Sequence, residues 1–562
     1  MLRAAFGVTG ECDQNHRSLC GSLRIIEVDF SKGKALSTTL QDRRDSKFRR
    51  LQWRLPQSTH PGASSSEGGS SSINWGHWLV RVLALTALFS VAAVYESVHL
   101  SSLVAQDVWV HLRSGIWILE NRSVPHTGLF SQYSNLPWID SSWLFDVVLA
   151  GAYRLFGLRA IPMLLMLLKA SLAVVTFVLA RAGRVNFWAV IVLSAIAQYV
   201  IPDLQPLPYA CSILFFAIEL YLMLRSRVTG SVCCLYWLPL LFVSWANVHI
   251  QFVAGLVLLA LFLGALAIEQ PLHRFGAGWV SDEIPSLSLT KIGSIGLLSF
   301  LGTFATPYTV HLLPAMSKTL YSDVSFQYFS EMSAMSFRQP QEYVLMLMVM
   351  AAFLALGRRR SVDLFKVVIL VAGAAVGFRF QRDAWIAILP AIAVLSCRLP
   401  AVQGESESPD IAIPRRERIW AAALIMIVLM IAAARLPNQN ALMSKISQNF
   451  PVRACDYIRE NRLPQPLFNT YTWGGFLTWY LPQYPVAVDN RVELYGDEAL
   501  TSYFKVISGK ETLDADPSLA RAGTLLLDEQ SAMAKALKTL PALSSQYHLV
   551  YSDDVASVFV RQ

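Results

Sequence analysis

Residues 78–98 read WLVRVLALTALFSVAAVYESV, and residues 106–113, just beyond them, read QDVWVHLR. The first stretch is long and apolar enough to cross a bilayer, which takes about 20 mostly apolar residues. The second sets an acid, an indole, an imidazole and a guanidinium immediately past its end. This pairing of an apolar run with chemistry-bearing residues recurs as far as Arg435. It predicts a mainly α membrane protein whose site lies at one set of helix ends.

Working outward, candidate spans are Trp78–Val98, Ala160–Ala180, Val185–Ile201, Pro208–Leu224, Val232–Ala246, Phe252–Ile268, Ile292–Phe304, Tyr343–Leu356, Leu364–Phe378, Ala384–Leu399 and Ile419–Ala434. About eleven transmembrane helices are therefore expected, with Ile292–Phe304 and Tyr343–Leu356 short enough to be partial spans. Phe145–Leu155 differs, because Asp146 and Arg154 interrupt its apolar face; it reads as an amphipathic helix lying at the interface.

Composition agrees. The 562 residues are 54% hydrophobic and only 15% charged, with mean hydropathy +0.42, where soluble proteins carry about 25% charged residues. The net charge of +8 gathers beside apolar segments, as the positive-inside rule expects. No basic groove with interleaved aromatics is present, so the expected partners are membrane lipids and not nucleic acid. Of the seven cysteines only Cys455 falls outside the cytoplasm on this reading, so no disulfide framework is expected. Cys233 and Cys234 lack zinc-ligand spacing and read as apolar filler.

Charge also assigns sides. With the basic residues 1–75 in the cytoplasm, the inner loops carry Arg181 and Arg184, Arg225 and Arg227, His273 and Arg274, Arg358 to Arg360, and Arg415, Arg416 and Arg418. Residues 1–75 hold no apolar signal segment and include the Ser/Gly tract Ser64–Ser72, so they read as a disordered tail and linker. Residues 76–436 form the membrane domain, with a long first outer loop at 101–158. Residues 437–562 alternate strand-like and helical runs and read as an extracytoplasmic α/β domain. Its expected strands are Leu467–Asn469, Val486–Asp489, Thr524–Leu527, His548–Tyr551 and Val558–Val560, and its expected helices Trp473–Tyr480 and Ala532–Leu540.

The outer segments hold the candidate chemistry. Asp107 and His111 are four apart and share a helix face. A carboxylate there either removes a proton from an acceptor, holds a divalent metal with His111, or simply caps a helix. The turn Trp245–His249, the start Thr306-Pro307-Tyr308 of the next outer loop, and Arg379–Asp383 fall on the same side. Polar residues converging at membrane ends suggest a cavity. Arg379 and Arg382 suit a phosphate or pyrophosphate, or else snorkel to the interface. His249 and His311 alone read as structural. In the tail, Asp489 and Arg491 end an expected strand, either as a site edge or as a structural ion pair; the paired Gly474 and Gly475 suit a tight turn or a close approach.

These motifs together resemble those of a group of bacterial polytopic membrane proteins of the GT-C glycosyltransferase type, distantly related to protein O-mannosyltransferases and lipid-linked aminoarabinose transferases. The resemblance is carried by Asp107–His111 followed by Gly115 to Leu119, by Pro125–Ser131, by Trp138, Asp140, Trp143, Leu144 and Phe145, by Trp245–His249, by Thr306–Tyr308, and by Asn469, Trp473–Gly475, Leu477, Asp489 and Arg491. Gly128 stands where the group has an acid, Thr306 where it has Asn, and Asn490 where it has Gly.

The resemblance implies a GT-C-like bundle in the bacterial inner membrane, moving a sugar from a polyprenyl-phosphate carrier to an envelope glycan, lipid or protein acceptor. It implies Asp107 as base or metal ligand; His111, Asp140, Trp143, His249, Tyr308, Arg379, Arg382, Asp489 and Arg491 are the residues expected around the substrate. Two rivals stand beside it. A transporter or lipid flippase would use mid-span charges such as Lys169 and Glu219. A non-catalytic scaffold would keep the fold alone.

Overall fold

The computed structural model describes residues 75–183, 185–201, 204–275, 287–312, 314, 323–358, 361–398 and 413–562. The expected N-terminal tail up to Asn74, and Arg184, Pro202, Arg359 and Arg360, lie outside the described residues.

Each apolar segment marked in the sequence is helical. In chain order the helices are α1 (Trp75–His99), α2 (Val108–Asn121), α3 (Trp143–Phe156), α4 (Ala160–Arg181), α5 (Phe187–Val200), α6 (Pro208–Thr229), α7 (Leu238–Val248), α8 (Phe252–Arg274), α9 (Leu289–Gly302), α10 (Pro340–Gly357), α11 (Leu364–Arg379), α12 (Trp385–Arg398) and α13 (Arg415–Ala434). Their starts follow local chemistry. Asn186 caps α5 by accepting from the Ala189 N–H, Ser288 caps α9, Asp363 caps α11, and Gln339 with Glu342 forms a capping box on α10.

The chain is a polytopic membrane protein, and six of the described helical runs are by length and composition alone enough to cross a bilayer: Gly76–His99, Trp143–Arg181, Pro208–Thr229, Phe252–Arg274, Pro340–Gly357 and Arg415–Ala434. A helix of 14 residues rises only about 21 Å against a hydrocarbon core of about 30 Å. α5, α9 and α12 are of that length. α12 shows why a short helix suffices: Ala387, Ile388, Leu389, Ala391, Ile392 and Val394 are fully buried, so other helices, and not lipid, surround it. The expected interfacial helix is α3, which runs through a turn at Gly157–Arg159 into α4 and buries Phe145, Asp146, Leu149 and Ala150.

Charges inside the bundle are mostly paired. Lys169 reaches Glu96 at 3.2 Å, and the Ser102 N–H also donates to Glu96. At the end of the bundle away from Asp107, Arg227 Nη2 bridges Glu269 and Asp363, each at 2.9 Å, and Arg81 meets Glu417 at 3.1 Å. Glu219 is fully buried with neither carboxyl oxygen hydrogen-bonded.

After α13 come α14 (Gln439–Ile446), α15 (Val452–Glu460), β1 (Leu467–Asn469), α16 (Gly474–Tyr480), α17 (Val492–Ile507), β2 (Thr524–Asp528), α18 (Ala532–Thr539), β3 (Tyr547–Ser552) and β4 (Ala556–Arg561). The sheet order is β1-β2-β4-β3, with β1 parallel to β2 and the other pairs antiparallel. Four of the five expected strands are present. Val486–Asp489 is not a strand of this sheet. It is buried and extended, but Val486 pairs with the first outer loop, through the Gln132 N–H to the Val486 carbonyl and the Val486 N–H to the Phe130 carbonyl. The Asn469 side chain supplies two more bonds, accepting from the Ala487 N–H and donating to the Val488 carbonyl. One amide side chain thus stands in for a neighbouring strand.

The sheet-containing domain and the bundle pack as one unit. Trp109 of α2 stacks on Trp479 at 4.8 Å and meets Phe450 and Phe476 edge-on. Both paired glycines serve close approach. A Cβ on Gly474 would lie 2.2 Å from the Val488 carbonyl oxygen, and one on Gly475 3.0 Å from the carbonyl oxygen of Gln106. The described cysteines Cys211, Cys233, Cys234, Cys397 and Cys455 carry free thiols.

Candidate functional site

The site begins at the first turn of α2. Asp107 occupies the N-cap position, yet its side chain makes no capping bond. Only its backbone serves the helix, its carbonyl accepting from the His111 N–H at 3.4 Å. The carboxylate is left for the space above. Burial pushes its pKa up to about 6, with His111 and Arg382 pulling down and Glu331 and Asp489 pushing up.

One turn on, His111 Nδ1 lies 2.8 Å from Asp146 Oδ1 on α3, and the Phe145 ring meets the imidazole edge-on. Burial lowers the His111 pKa below the usual imidazole value, opposed by Asp140 and Asp107. The contact exists because α2 and α3 approach closely at Gly115, where a Cβ would sit 1.9 Å from the Asp146 carbonyl oxygen.

The outer segments interlock above the bundle. The Tyr308 hydroxyl donates to the Pro125 carbonyl at 2.8 Å and accepts from the Asp140 N–H at 3.2 Å. Trp143 Nε1 donates to Asn247 Oδ1 at 2.9 Å, and Asn247 Nδ2 donates to the Ala305 carbonyl. Asp140 is buried, and Oδ1 accepts from the Ser142 N–H. Burial and the nearby Asp146 hold its carboxyl well above the usual range. His249 Nδ1 pairs with Ser212 Oγ at 2.8 Å, and burial, Arg382 and His111 press its pKa down to about 3.

The sheet-containing domain closes the site. Arg491 and Asp489 are both buried and paired, Nη2 to Oδ2 at 2.7 Å and Nε to Oδ1 at 3.0 Å. Arg491 lies over the Trp138 ring, whose Nε1 donates to Glu493, and its Nη1 is buried without a partner. Arg382 faces it from the bundle side. Its Nη1 is 3.5 Å from Glu331, and its Nε is buried and unpartnered.

These groups line a cavity of about 950 Å³, among them Asp107, His111, Asp140, His249, Arg382 and Arg491. Leu165 and Leu172 of α4 and Ile201 and Leu204 beyond α5 give it an apolar side, which Lys169, Gln198 and Gln205 interrupt. A second, almost wholly apolar cavity of about 310 Å³ between α8, α11 and α12 also reaches Gln251 and Arg382. Trp143, Tyr308 and Asp489 do not line the larger cavity; Tyr308 and Asp489 hold Asp140 and Arg491, which do. Arg379 joins neither group: its guanidinium lies over the rings of Phe380 and Phe326.

Among the described residues no three His, Cys, Asp or Glu side chains are grouped to hold a metal ion. His111 Nδ1 is already engaged by Asp146. No step through a metal is derived. Sequence reasoning missed Asp146, which stood out only as a break in an apolar face, and Glu331, Gln251 and Glu493, which no local pattern marks.

By sequence, no family model and no curated protein matches the chain. Among solved structures it is similar to the oligosaccharyltransferase AglB from Archaeoglobus fulgidus in complex with an inhibitory peptide and a dolichol-phosphate, at 11% identity and a TM-score of 0.49, covering 88% of this chain and 74% of that one. It is also similar to ArnT from Cupriavidus metallidurans in the apo state, at 13% identity and a TM-score of 0.42, covering 86% and 98%. Likenesses this low fix neither activity nor ligand.

Proposed function

We propose that this protein is an integral membrane glycosyltransferase that moves a sugar from a polyprenyl-phosphate carrier to an acceptor on the extracytoplasmic face of the inner membrane. The observation that carries the reading is the larger cavity. Apolar side chains of membrane helices line it together with the Asp107 carboxylate and two arginines that have unpartnered N–H groups, beside the further acids Asp140, Asp146, Glu331 and Glu493. A lipid tail suits the apolar side chains, a phosphate the arginines, and a reacting hydroxyl the carboxylate. The motif resemblance points the same way. The division into a membrane domain of about eleven spans and a separate domain from residue 437 belongs to this proposal.

In the proposed reaction the acceptor hydroxyl attacks the anomeric carbon. Asp107 receives its proton, and the bond from that carbon to the phosphate oxygen breaks with its electron pair going to the phosphate. A positioned base of this kind contributes about 10²- to 10⁴-fold. Arg382 stabilises the charge on the departing phosphate, where preorganised donors act most strongly in a water-poor site. Arg491, fixed by Asp489 and Trp138, donates Nη1 to the sugar or the acceptor. Arg379, occupied with its aromatic neighbours, has no part.

Analysis of a deletion strain tests this. Lipid-linked sugars are expected to accumulate and one envelope glycan or glycolipid to disappear, with wild-type protein restoring both. Asp107→Asn is expected to reach the membrane in normal amount and restore neither, whereas a scaffold would be indifferent to that change. Unaltered sugar pools and glycans in the deletion strain would overturn the proposal.

A further inference from the structure

We propose that Asp146 is a positioning residue that holds His111 with its proton on Nδ1, leaving Nε2 as a bare acceptor for a carbohydrate or acceptor hydroxyl, and that Asp140 carries the proton that keeps Asp146 an acceptor. The inference rests on the transferase reading only for the identity of that hydroxyl.

His111 Nδ1 is 2.8 Å from Asp146 Oδ1; Asp146 is 1% exposed and the imidazole 21%. One ring nitrogen is therefore held by protein while the residue lines the cavity. Which nitrogen bears the hydrogen depends on what Asp146 is. An ionised Asp146 accepts from Nδ1–H and leaves Nε2 bare. A protonated Asp146 donates to Nδ1 and forces the hydrogen onto Nε2, turning the same nitrogen into a donor.

Asp140 decides between them. Its Oδ1 accepts from the Ser142 N–H, whereas its Oδ2 is buried with no partner. A bare carboxylate oxygen in that position costs about 1–3 kcal/mol or more. The Asp146 carboxyl lies within hydrogen-bond reach of Asp140. Two abutting buried carboxyls cannot both be ionised. Placing the shared proton on Asp140 Oδ2 satisfies that oxygen, gives Asp146 a donor, and keeps Asp146 able to accept from His111. The remaining acids acting on His111 are Asp107 and Glu493; they act through space and leave the tautomer to Asp146. Gly115 completes the device, since a side chain there would collide with the Asp146 backbone. The motif pair Asp107–His111 and Trp138–Phe145 thus carries a relay Asp140–Asp146–His111 that the spacing alone does not disclose.

The direct test is nitrogen-15 NMR of the full-length protein labelled at histidine, in nanodiscs without substrate, with His111→Gln identifying the resonances. Wild type and Asp140→Asn are expected to show a protonated Nδ1 and an unprotonated Nε2, because the side-chain amide introduced by Asp140→Asn replaces the carboxylic acid as donor. Asp146→Asn is expected to move hydrogen to Nε2. In a strain complemented with Asp146→Asn, glycan formation is expected to fall about 10- to 100-fold, the usual loss when a residue orienting a functional histidine is removed. A wild-type His111 protonated at Nε2, or an Asp146→Asn spectrum like wild type, would overturn the inference. An Asp140→Asn spectrum with the hydrogen on Nε2 would overturn the placement of the proton. Wild-type protein forming no glycan would instead sink the transferase reading and leave the spectra in force.

Discussion

Gly115→Ala is the perturbation whose effect the structure sets most sharply. A Cβ at that position would lie 1.9 Å from the Asp146 carbonyl oxygen, 2.4 Å from its carbon and 2.9 Å from the Ala150 Cβ. Ordinary contact begins at 3.4 Å, so α2 and α3 must part by roughly 3.4 − 1.9 = 1.5 Å. The obstacle is backbone and no rotamer change relieves it. Overpacking of this kind costs about 1–3 kcal/mol, and the 2.8 Å bond from His111 to Asp146 is lost with it. A misplacement near 1 Å costs a well-oriented reaction about 10²-fold. The matched control is Gly151→Ala on α3, where a Cβ meets nothing within 4 Å; removing that helical glycine is expected to be neutral or to stabilise by up to about 1 kcal/mol. Thermal unfolding in nanodiscs reads stability, and glycan restoration in the deletion strain reads function. If Gly115→Ala melts with wild type and restores glycan fully, the packing argument for the site is wrong.

Asp107→Asn is expected to abolish transfer, and the wild-type rate to fall as pH drops through about 6, where the raised Asp107 carboxyl takes up its proton. Because that folded-state pKa lies above the ordinary aspartate value of 3.8, the fold loses stability as pH rises from 3.8 to about 6, and the loss is complete above that; Asp107→Asn should raise the melting temperature at pH 7 and not at pH 3.5. A variant no more stable at pH 7 would contradict the burial of Asp107. Arg382→Gln is expected to reduce turnover of the lipid-linked donor at least tenfold, and Arg382→Lys to recover part of it by restoring charge without the fork; equal activity in all three would remove Arg382 from the site. Tyr308→Phe deletes one hydroxyl that bonds both Pro125 and Asp140, and should cost about 1–2 kcal/mol of stability, read by urea or thermal unfolding.

The helices were legible because each apolar run has to be helical to satisfy its backbone in lipid. Membrane-length crossings were harder to count, because α12 is apolar for burial among other helices and not for contact with lipid. Val486–Asp489 shows the limit of local pattern. Its alternation reads as strand, but its partners are the Asn469 side chain and a loop some 355 residues away. Asp107 and His111 were visible by spacing, and Arg491 by its place after an extended run. Asp146 was not, because its role depends on how closely two helices approach. Arg379 and Arg382 look alike in sequence; only the placement of Phe326 and Phe380 separates them.

The central claim is that the cavity at Asp107 cleaves a lipid-phosphate-linked sugar. Purified protein in nanodiscs, supplied with lipid-linked sugars and acceptor extracted from the deletion strain, allows release of free polyprenyl phosphate to be measured by mass spectrometry. Release by wild type, dependent on the acceptor extract and absent with Asp107→Asn, is the predicted result. No release by wild type, or equal release by both proteins, would contradict the account.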